Sequence, residues 1–453
     1  MAKPAPRTIS VAHFASLTLV ALLVLLALGA ALTPLLAPAQ DGTAARLMAS
    51  RIAAAGIFAA SYLALAIGRV PGLSIDRAGI ALVGGCLMVA SGALPLQDAY
   101  RAIDLDTITL LLGMMIVVAN LRLSGFFALA TFWVAQRAHR PLLLLGAIVA
   151  ISGVFSAFLV NDAICLVLAP LVVDLTLALK RRPLPYLLAV AMASNVGSTA
   201  TITGNPQNML IGSFSHITYV SFSATLAPIA GIGLVLTLAL IALLHREEFQ
   251  GGAKLEARPP RLHANRGLML RALIAVAAVI ALFFAGQPPA KAAVIIGALL
   301  LLTRRVKSAR VYAEIDWSLL LMFAGLFIIV AGAERQLLTP DIIARVARLH
   351  LSNIPVLSAI TAALSNLVSN VPAVLVLRPF VGALPDQTTA WKVIAMASTL
   401  AGNFTVLGSI ANLIVVEKAA RRGVTISFWD YFRVGAPLTV LTIVVGAAWL
   451  AFG

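Results

Sequence analysis

The stretch Ala191 to Gly212, AMASNVGSTATITGNPQNMLIG, returns later in the chain as Ala395 to Val416, AMASTLAGNFTVLGSIANLIVV. The two align without gaps at an offset of 204, with seven identities in twenty-two. A second pair lies just upstream: Ser156 to Val172, SAFLVNDAICLVLAPLV, and Ser365 to Val381, SNLVSNVPAVLVLRPFV, share seven residues in seventeen at an offset of 209. Tyr100 to Ala119 matches Tyr312 to Ala331 at an offset of 212 through Tyr-x-x-Ile-Asp, Gly113/Gly325 and Val-Ala. Leu, Val and Ala matches are cheap in so apolar a chain. The weight rests on Asn161/Asn370, Pro170/Pro379, Ser194/Ser398, Gly204/Gly408 and Asn208/Asn412. Two copies of a unit with broken, polar-centred membrane segments is the pattern of a secondary transporter whose site lies where the copies meet.

The chain is 61% hydrophobic and 11% charged, and apolar runs of about 20 residues recur, each enough to cross ~30 Å of hydrocarbon. A soluble fold of this size needs far more polar surface. The net charge of +16 does not signal nucleic acid, because Lys and Arg sit in short loops between spans, where they act as topology signals. Cys86 and Cys165 lie in apolar segments and offer neither a disulfide framework nor a Cys-x-x-Cys metal spacing. No Gly-Lys dipeptide occurs, which excludes a Walker A phosphate loop in this chain. Energy must come from an ion gradient or from a separate ATPase subunit.

Apolar runs and their Gly, Pro and charge boundaries divide the chain into an N-terminal extra transmembrane helix at 1–49, a first repeat at 50–245, a cytoplasmic linker at 246–266 and a second repeat at 267–453. The first span, roughly Val11 to Leu36, exceeds the ~7–15 residues of a signal h-region and reads as uncleaved. Each repeat holds a long apolar stretch with a polar centre, 141–180 and 353–384, and a broken segment, 184–217 and 389–416. A polar tip inside the membrane is tolerable where protein or a cavity surrounds it, so the split stretches are expected to be re-entrant hairpins. Each repeat then crosses five times, which makes the copies inverted and the total about eleven crossings. With the N-terminus inside, the predicted cytoplasmic loops hold 24 of the 33 Lys and Arg and the outer loops eight, with Arg378 inside the second hairpin. The expectation is a multi-pass protein of the bacterial cytoplasmic membrane, N-terminus cytoplasmic and C-terminus outside.

Four interruptions are expected to meet near the midplane: Asn161-Asp162 and Ser369-Asn370 at the hairpin tips, and Gly204-Asn205 and Gly408-Ser409 in the broken helices. Where a helix stops and restarts, free N–H groups and the positive dipole end favour an anion. The carbonyls of the ended half, with Asn, Ser and Thr oxygens, can hold Na⁺ or a hydrogen-bonded oxy-solute. The candidate binding residues are Asn161, Asp162, Ser194, Asn195, Thr199, Thr201, Gly204, Asn205 and Asn208 in the first copy. In the second they are Ser369, Asn370, Ser398, Asn403, Thr405, Gly408, Ser409 and Asn412, with Na⁺ considered at Asn161, Asp162 and Asn370. The competing reading is a set of kinks filled by neighbouring hydroxyls. Asn205-Pro206 suits a helix restart, as a preferred N-cap followed by Pro at the first helical position. In the second copy Ser409 takes the cap role and Ile410 replaces Pro.

Of the seventeen acidic residues, Asp162 alone sits deep in a predicted membrane segment away from its ends. A buried carboxylate without a cation suits proton carriage or Na⁺ ligation. Its alternative is a cap for the hairpin's second arm or a partner for a basic residue; Val371 holds the equivalent place. Arg378, eight residues past the second tip, either snorkels to the outer interface or attracts an anion. Cys165, three residues past Asp162, is read as a small apolar residue, with contact to a trivalent metalloid as the sharper alternative.

At these residues the chain resembles the ion transporter superfamily: the arsenite permeases of the arsenical pump, the D-type sodium/proton antiporters, the citrate and divalent-anion carriers and the pink-eyed-dilution-like proteins. The resemblance covers nearly the whole chain from about residue 50. Its most specific pieces are Asn-Asp at 161–162, SNVGSTATITGNPQNMLIG at 194–212, GNFTVLGSIANLIVVE at 402–417 and SFWDYFRVGAPLTVL at 427–441. The Asn-Asp tip and the Gly-Ser-x-Ala-Asn motif are closer to the arsenite permeases and their bacterial relatives. Dicarboxylate carriers favour Ser-Asn-Thr at both tips, where this chain has Val-Asn-Asp and Ser-Asn-Val. The resemblance implies that hairpins and broken helices form the substrate site and that transport proceeds by alternating access.

The reading is therefore an all-α polytopic membrane protein of two inverted repeats. It is expected to be a secondary active transporter of a small anion or a metalloid oxyanion or hydroxide, arsenite- or antimonite-like, coupled to H⁺ or Na⁺. A sodium/proton antiporter or dicarboxylate carrier of the same fold is the nearer alternative, and an anion channel the one from another class. An enzyme is not expected: the six histidines lie near predicted membrane ends or in loops, and the deep Asp lacks the second carboxylate of an aspartyl protease. No cofactor is expected, with Na⁺ or H⁺ open as the coupling ion. The expected partners are the small solute and membrane lipids; a homodimer and a separate ATPase subunit stay open, and nucleic acid is not among them.

Overall fold

The structure, a computed structural model, describes residues 42–67, 75–137, 140–250, 265–302 and 306–452. The expected first span lies outside the described residues, as does the linker from 251 to 264. All regular structure among the described residues is helical, which satisfies backbone hydrogen bonds within each segment where water cannot.

The first copy runs through α1 (Gly42–Ile67), α2 (Arg77–Ala90), α3 (Leu96–Ala102), α4 (Leu105–Leu123) and α5 (Phe126–Arg137). A hairpin of α6 (Pro141–Leu159) and α7 (Asn161–Ala178) follows. The broken helix comes next: α8 (Pro183–Ser198), a 3₁₀ turn (Ile202–Gly204) and α9 (Pro206–Ser215), then α10 (Tyr219–Leu244) and the short α11 (Arg246–Phe249). The second copy runs through α12 (Arg266–Phe284), α13 (Pro289–Leu301), α14 (Ser308–Tyr312), α15 (Trp317–Leu337) and α16 (Pro340–Ala347). Its hairpin is α17 (Ile354–Val368) and α18 (Asn370–Val381). Its broken helix is α19 (Gln387–Ala401), a 3₁₀ turn (Val406–Gly408) and α20 (Ile410–Ala420), and α21 (Phe428–Phe452) ends the chain. Among the described residues, eight helices are long and apolar enough to cross a membrane and four shorter ones are apolar.

The chain gathers into two compact units that cut across the two copies: Met1–Asp104 with Trp317–Arg348, and Leu105–Asp316 with Leu349–Gly453. In the first unit α2 lies along α15. A Cβ on Gly325 would fall 2.4 Å from the Ala81 carbonyl carbon, and one on Gly85 3.2 Å from the Gly325 oxygen. In the second unit α4 lies along α13 in the same manner. There a Cβ on Gly113 would fall 2.5 Å from the Ala293 carbonyl carbon, and one on Gly297 3.2 Å from the Gly113 oxygen. Positions 81 and 293, 85 and 297, and 113 and 325 are each 212 apart. One crossing is thus built twice, each time from a helix of one copy against a helix of the other. Lipid supplies no hydrophobic drive for such contacts, so close backbone approach at small residues must supply them.

The second unit also holds both hairpins and both broken helices. α6 packs on α8 and α17 on α19. Each hairpin turns on one residue with positive φ, Val160 (+63°) and Ser369 (+79°), again 209 apart. A valine in that region is strained by about 1–3 kcal/mol. The contacts that enforce it are those of a packed tip: Val160 and Asn161 are each 3% exposed.

Candidate functional site

The two breaks have the same backbone. Thr201 and Thr405 are extended (φ −139° and −135°), a single 3₁₀ turn follows, and Asn205 and Ser409 are extended again (φ −155° and −144°) before α9 and α20 begin. Such a gap leaves carbonyls unpaired in a place without bulk water, at a cost of about 1–3 kcal/mol each. One asparagine per copy stitches it. The Asn208 amide nitrogen donates to Ser198 O (3.1 Å) and Thr201 O (3.0 Å); the Asn412 nitrogen donates to Gly402 O (2.7 Å) and Thr405 O (3.1 Å). Gly204 is required by closeness, since a Cβ there would lie 2.1 Å from Ser198 O.

The breaks are tied to the hairpin tips of the opposite copy. Asn195, near the end of α8, donates to Asn403 Oδ1 (2.9 Å) and Asn412 Oδ1 (3.0 Å). Its oxygen accepts from Asn161 at the first tip (3.0 Å) and from the Ser409 hydroxyl (3.2 Å). The N-termini of α7 and α20 therefore meet through one amide. Asn403 in turn donates to Met192 O (3.2 Å). On the other side the Asn370 amide, with its nitrogen facing the acceptors around it, donates to Ser365 Oγ (2.7 Å), Gly408 O (3.2 Å) and Ser398 O (3.3 Å). Its oxygen accepts from Gln207 Nε2 (3.3 Å), which joins the N-termini of α18 and α9. Asn205 donates to Thr399 Oγ1 (3.1 Å), as does Gln207 (3.1 Å). Thr399 lies 204 residues after Asn195, so each copy's first half-helix grips the other copy's restart.

Ser194 donates to Asn161 O (3.2 Å) and accepts from Ser156 (2.9 Å), while Ser365 donates to Ser398 O (3.0 Å). Four of the sequence-derived candidates look elsewhere. The Thr199 hydroxyl returns to its own helix at Asn195 O (3.3 Å), and Ser398 to Ala395 O (3.4 Å). Thr201 donates to Ala157 O, and Thr405 enters through its carbonyl, which accepts from Asn412. Asn205 caps α9 by accepting from the Asn208 N–H (2.8 Å). Ser409 occupies the cap position of α20 without a cap bond, because its hydroxyl is turned to Asn195.

Asp162 is half-buried in the first turn of α7. Val160 holds the cap position, no side chain caps the helix, and no ion pair to Asp162 is present among the described residues. Beside it, Asn161 Oδ1 is buried with no hydrogen-bond partner among the described residues, as is Asn366 Oδ1 near the second tip. Both are oxygens suited to a hard cation. Arg378 is exposed and stacks on Phe214, its Cζ 3.9 Å from the ring centroid. Cys165 is fully buried, with Val190 O at 3.9 Å. Gln207, Asn366, Thr399, Ser156 and Ser365 were not among the sequence candidates.

Two hairpins and two broken helices, interlocked at their polar centres in an all-helical multi-span protein, define a secondary transporter built on repeats. The family described as citrate transporter matches residues 62–401, and the chain belongs to it. An uncharacterized transporter of Mycobacterium tuberculosis is 30% identical over 428 residues, covering 88% of this chain and 97% of that one. The silicon efflux transporter LSI3 of Oryza sativa subsp. japonica is 28% identical over 449 residues, covering 83% and 93%. The crystal structure of the Alcanivorax borkumensis YdaH transporter shares the fold, with a TM-score of 0.55 at 15% identity over 89% of this chain and 98% of that one.

Proposed function

We propose that the chain moves a small anion or a metalloid oxyanion or hydroxide across the bacterial cytoplasmic membrane by alternating access, coupled to H⁺ or Na⁺. The observation that carries this reading is the pairing of helix N-termini from opposite copies, α7 with α20 and α18 with α9, beside the Asp162 carboxylate, which has no ion pair among the described residues. N-termini favour a solute with negative charge or lone-pair oxygens. Asp162 and the Asn161 oxygen, which has no hydrogen-bond partner among the described residues, supply ligands for Na⁺, or Asp162 carries the proton. The silicon efflux function named for the rice relative supports a hydroxide. The description of the family as citrate transporter favours a second reading, a carboxylate carrier, with one carboxylate at each pair of N-termini.

Gradient-driven uptake into proteoliposomes, screened against arsenite, silicic acid, phosphate, citrate and succinate with and without Na⁺, tests this directly. Saturable uptake is expected; a non-saturating flux favours a channel. Asp162→Asn keeps size and hydrogen bonding and removes the titratable group. It should abolish proton- or sodium-driven transport while leaving expression intact, and unchanged pH and Na⁺ dependence would take Asp162 out of the mechanism.

A further inference from the structure

A cavity of about 320 Å³ opens in the second unit between the start of α4, the end of α9, the start of α10 and the α12–α13 turn. Its mouth carries Asp106, His216 and Lys291, all exposed. Its floor is formed by Ile202 and Met209 of the first break and by Tyr219, all buried. The Tyr219 ring is held against Phe283 and Phe284 of α12, at 5.1 and 5.2 Å between centroids. Its hydroxyl lies 2.9 Å from Oγ1 of Thr203, the middle residue of the 3₁₀ turn. Thr203 Oγ1 is 3.4 Å from Thr201 Oγ1, and the Thr201 hydroxyl donates to Ala157 O in α6.

The far end of this chain fixes its direction. A carbonyl only accepts, so the single Thr201 proton is used on Ala157. Thr203 then gives its proton to Thr201 and accepts from Tyr219. The side of Thr203 that faces Tyr219, a residue of the cavity wall, is an acceptor, and what replaces the phenol there must bring a hydrogen-bond donor, such as an O–H. A fully deprotonated anion has none. The opposite charges of Asp106 and Lys291 at the mouth do not select for either sign.

We propose that this cavity is a second solute site, an antechamber to the first break for a small solute bearing O–H groups, and that Tyr219 is its latch. The phenol holds the place at Thr203 that a solute hydroxyl takes over. The inference rests on the break being part of the transport path. The latch exists once: Phe428 stands 209 residues after Tyr219, and Leu407 stands 204 after Thr203.

The test is the rate at which a small hydrophilic thiol reagent modifies Ile202→Cys in the full chain, with Cys86 and Cys165 replaced by alanine. Tyr219→Phe keeps the ring and loses the donor, so modification should speed up about fivefold or more, the range of one hydrogen bond. Boric acid, a neutral polyhydroxy probe, should slow modification where Tyr219 is present, and sulfate should not. Thr203→Val removes the acceptor from the other side, so it should also speed modification and abolish the boric acid effect. If Tyr219→Phe does not fold, Thr203→Val alone decides. Equal rates with and without the latch, or protection by sulfate as strong as by boric acid, overturn the proposal. Labelling needs no turnover. A protein that shows the latch but no gradient-driven uptake refutes the transport reading, and the reverse result refutes the antechamber alone.

Discussion

Asn195 uses every hydrogen-bonding position of its amide: two donors go to the second copy's break, and the oxygen accepts from the first tip and from Ser409. Asn195→Leu leaves four buried polar groups each short of a partner. At about 1 kcal/mol or more apiece, with partial relaxation, a loss of roughly 2–4 kcal/mol is expected. Thermal unfolding in detergent should show it, together with loss of uptake, and an unchanged melting temperature would mean that the network does not hold the site. The sequence points to Asn195 as a polar residue directly after the repeated Ala-Met-Ala-Ser run. It does not point to Thr399, Gln207 or Asn366, and the reason is physical. Identity between copies finds residues that do the same job twice, such as Asn208 and Asn412. Asn195 and Thr399 occupy matched positions but bond differently, and Gln207 faces Ala411 in the alignment. Residues that diverged to fit each other across the centre are invisible to such a comparison.

At the scale of the element, the interruptions are legible because each carries polar residues where hydrocarbon should run on, and Asn205-Pro206 announces its restart. The turn at each tip is less so, since nothing in Val160 signals a positive φ; the packed tip imposes it. How the straight helices pair is not legible at all. Periodicity marks α2, α4, α13 and α15 as apolar, but their exchange between copies depends on contacts far apart in the chain. The glycines at the crossings make that exchange testable. Gly113→Val and Gly325→Val place atoms inside the facing backbone and should destabilise by about 1–3 kcal/mol or more. Gly231→Val on α10 meets nothing within 4 Å and serves as the control. Equal melting of all three proteins would contradict the crossings.

For the whole molecule, the two breaks match in backbone but not in exposure: Thr203 is fully buried and its mate Leu407 is 64% exposed. Alternating access predicts that the difference reverses in the opposite state. Cysteines at the two positions should change their labelling in opposite senses as solute and ion conditions change, and identical labelling throughout would favour a channel. The proposed orientation has its own check: in intact cells, a cysteine at position 387 should label from outside and one at position 255 should not. The exchanged crossings also bear on how the protein is made. Gly325 follows Ala81 by 244 residues, and Ala293 follows Gly113 by 180. At about 5–20 residues per second, a newly inserted α2 or α4 waits roughly 10–50 s for its partner to leave the ribosome. During that wait its small-residue face meets only lipid, so the half-made chain is the species most exposed to quality-control proteases and to pairing with the wrong nascent neighbour.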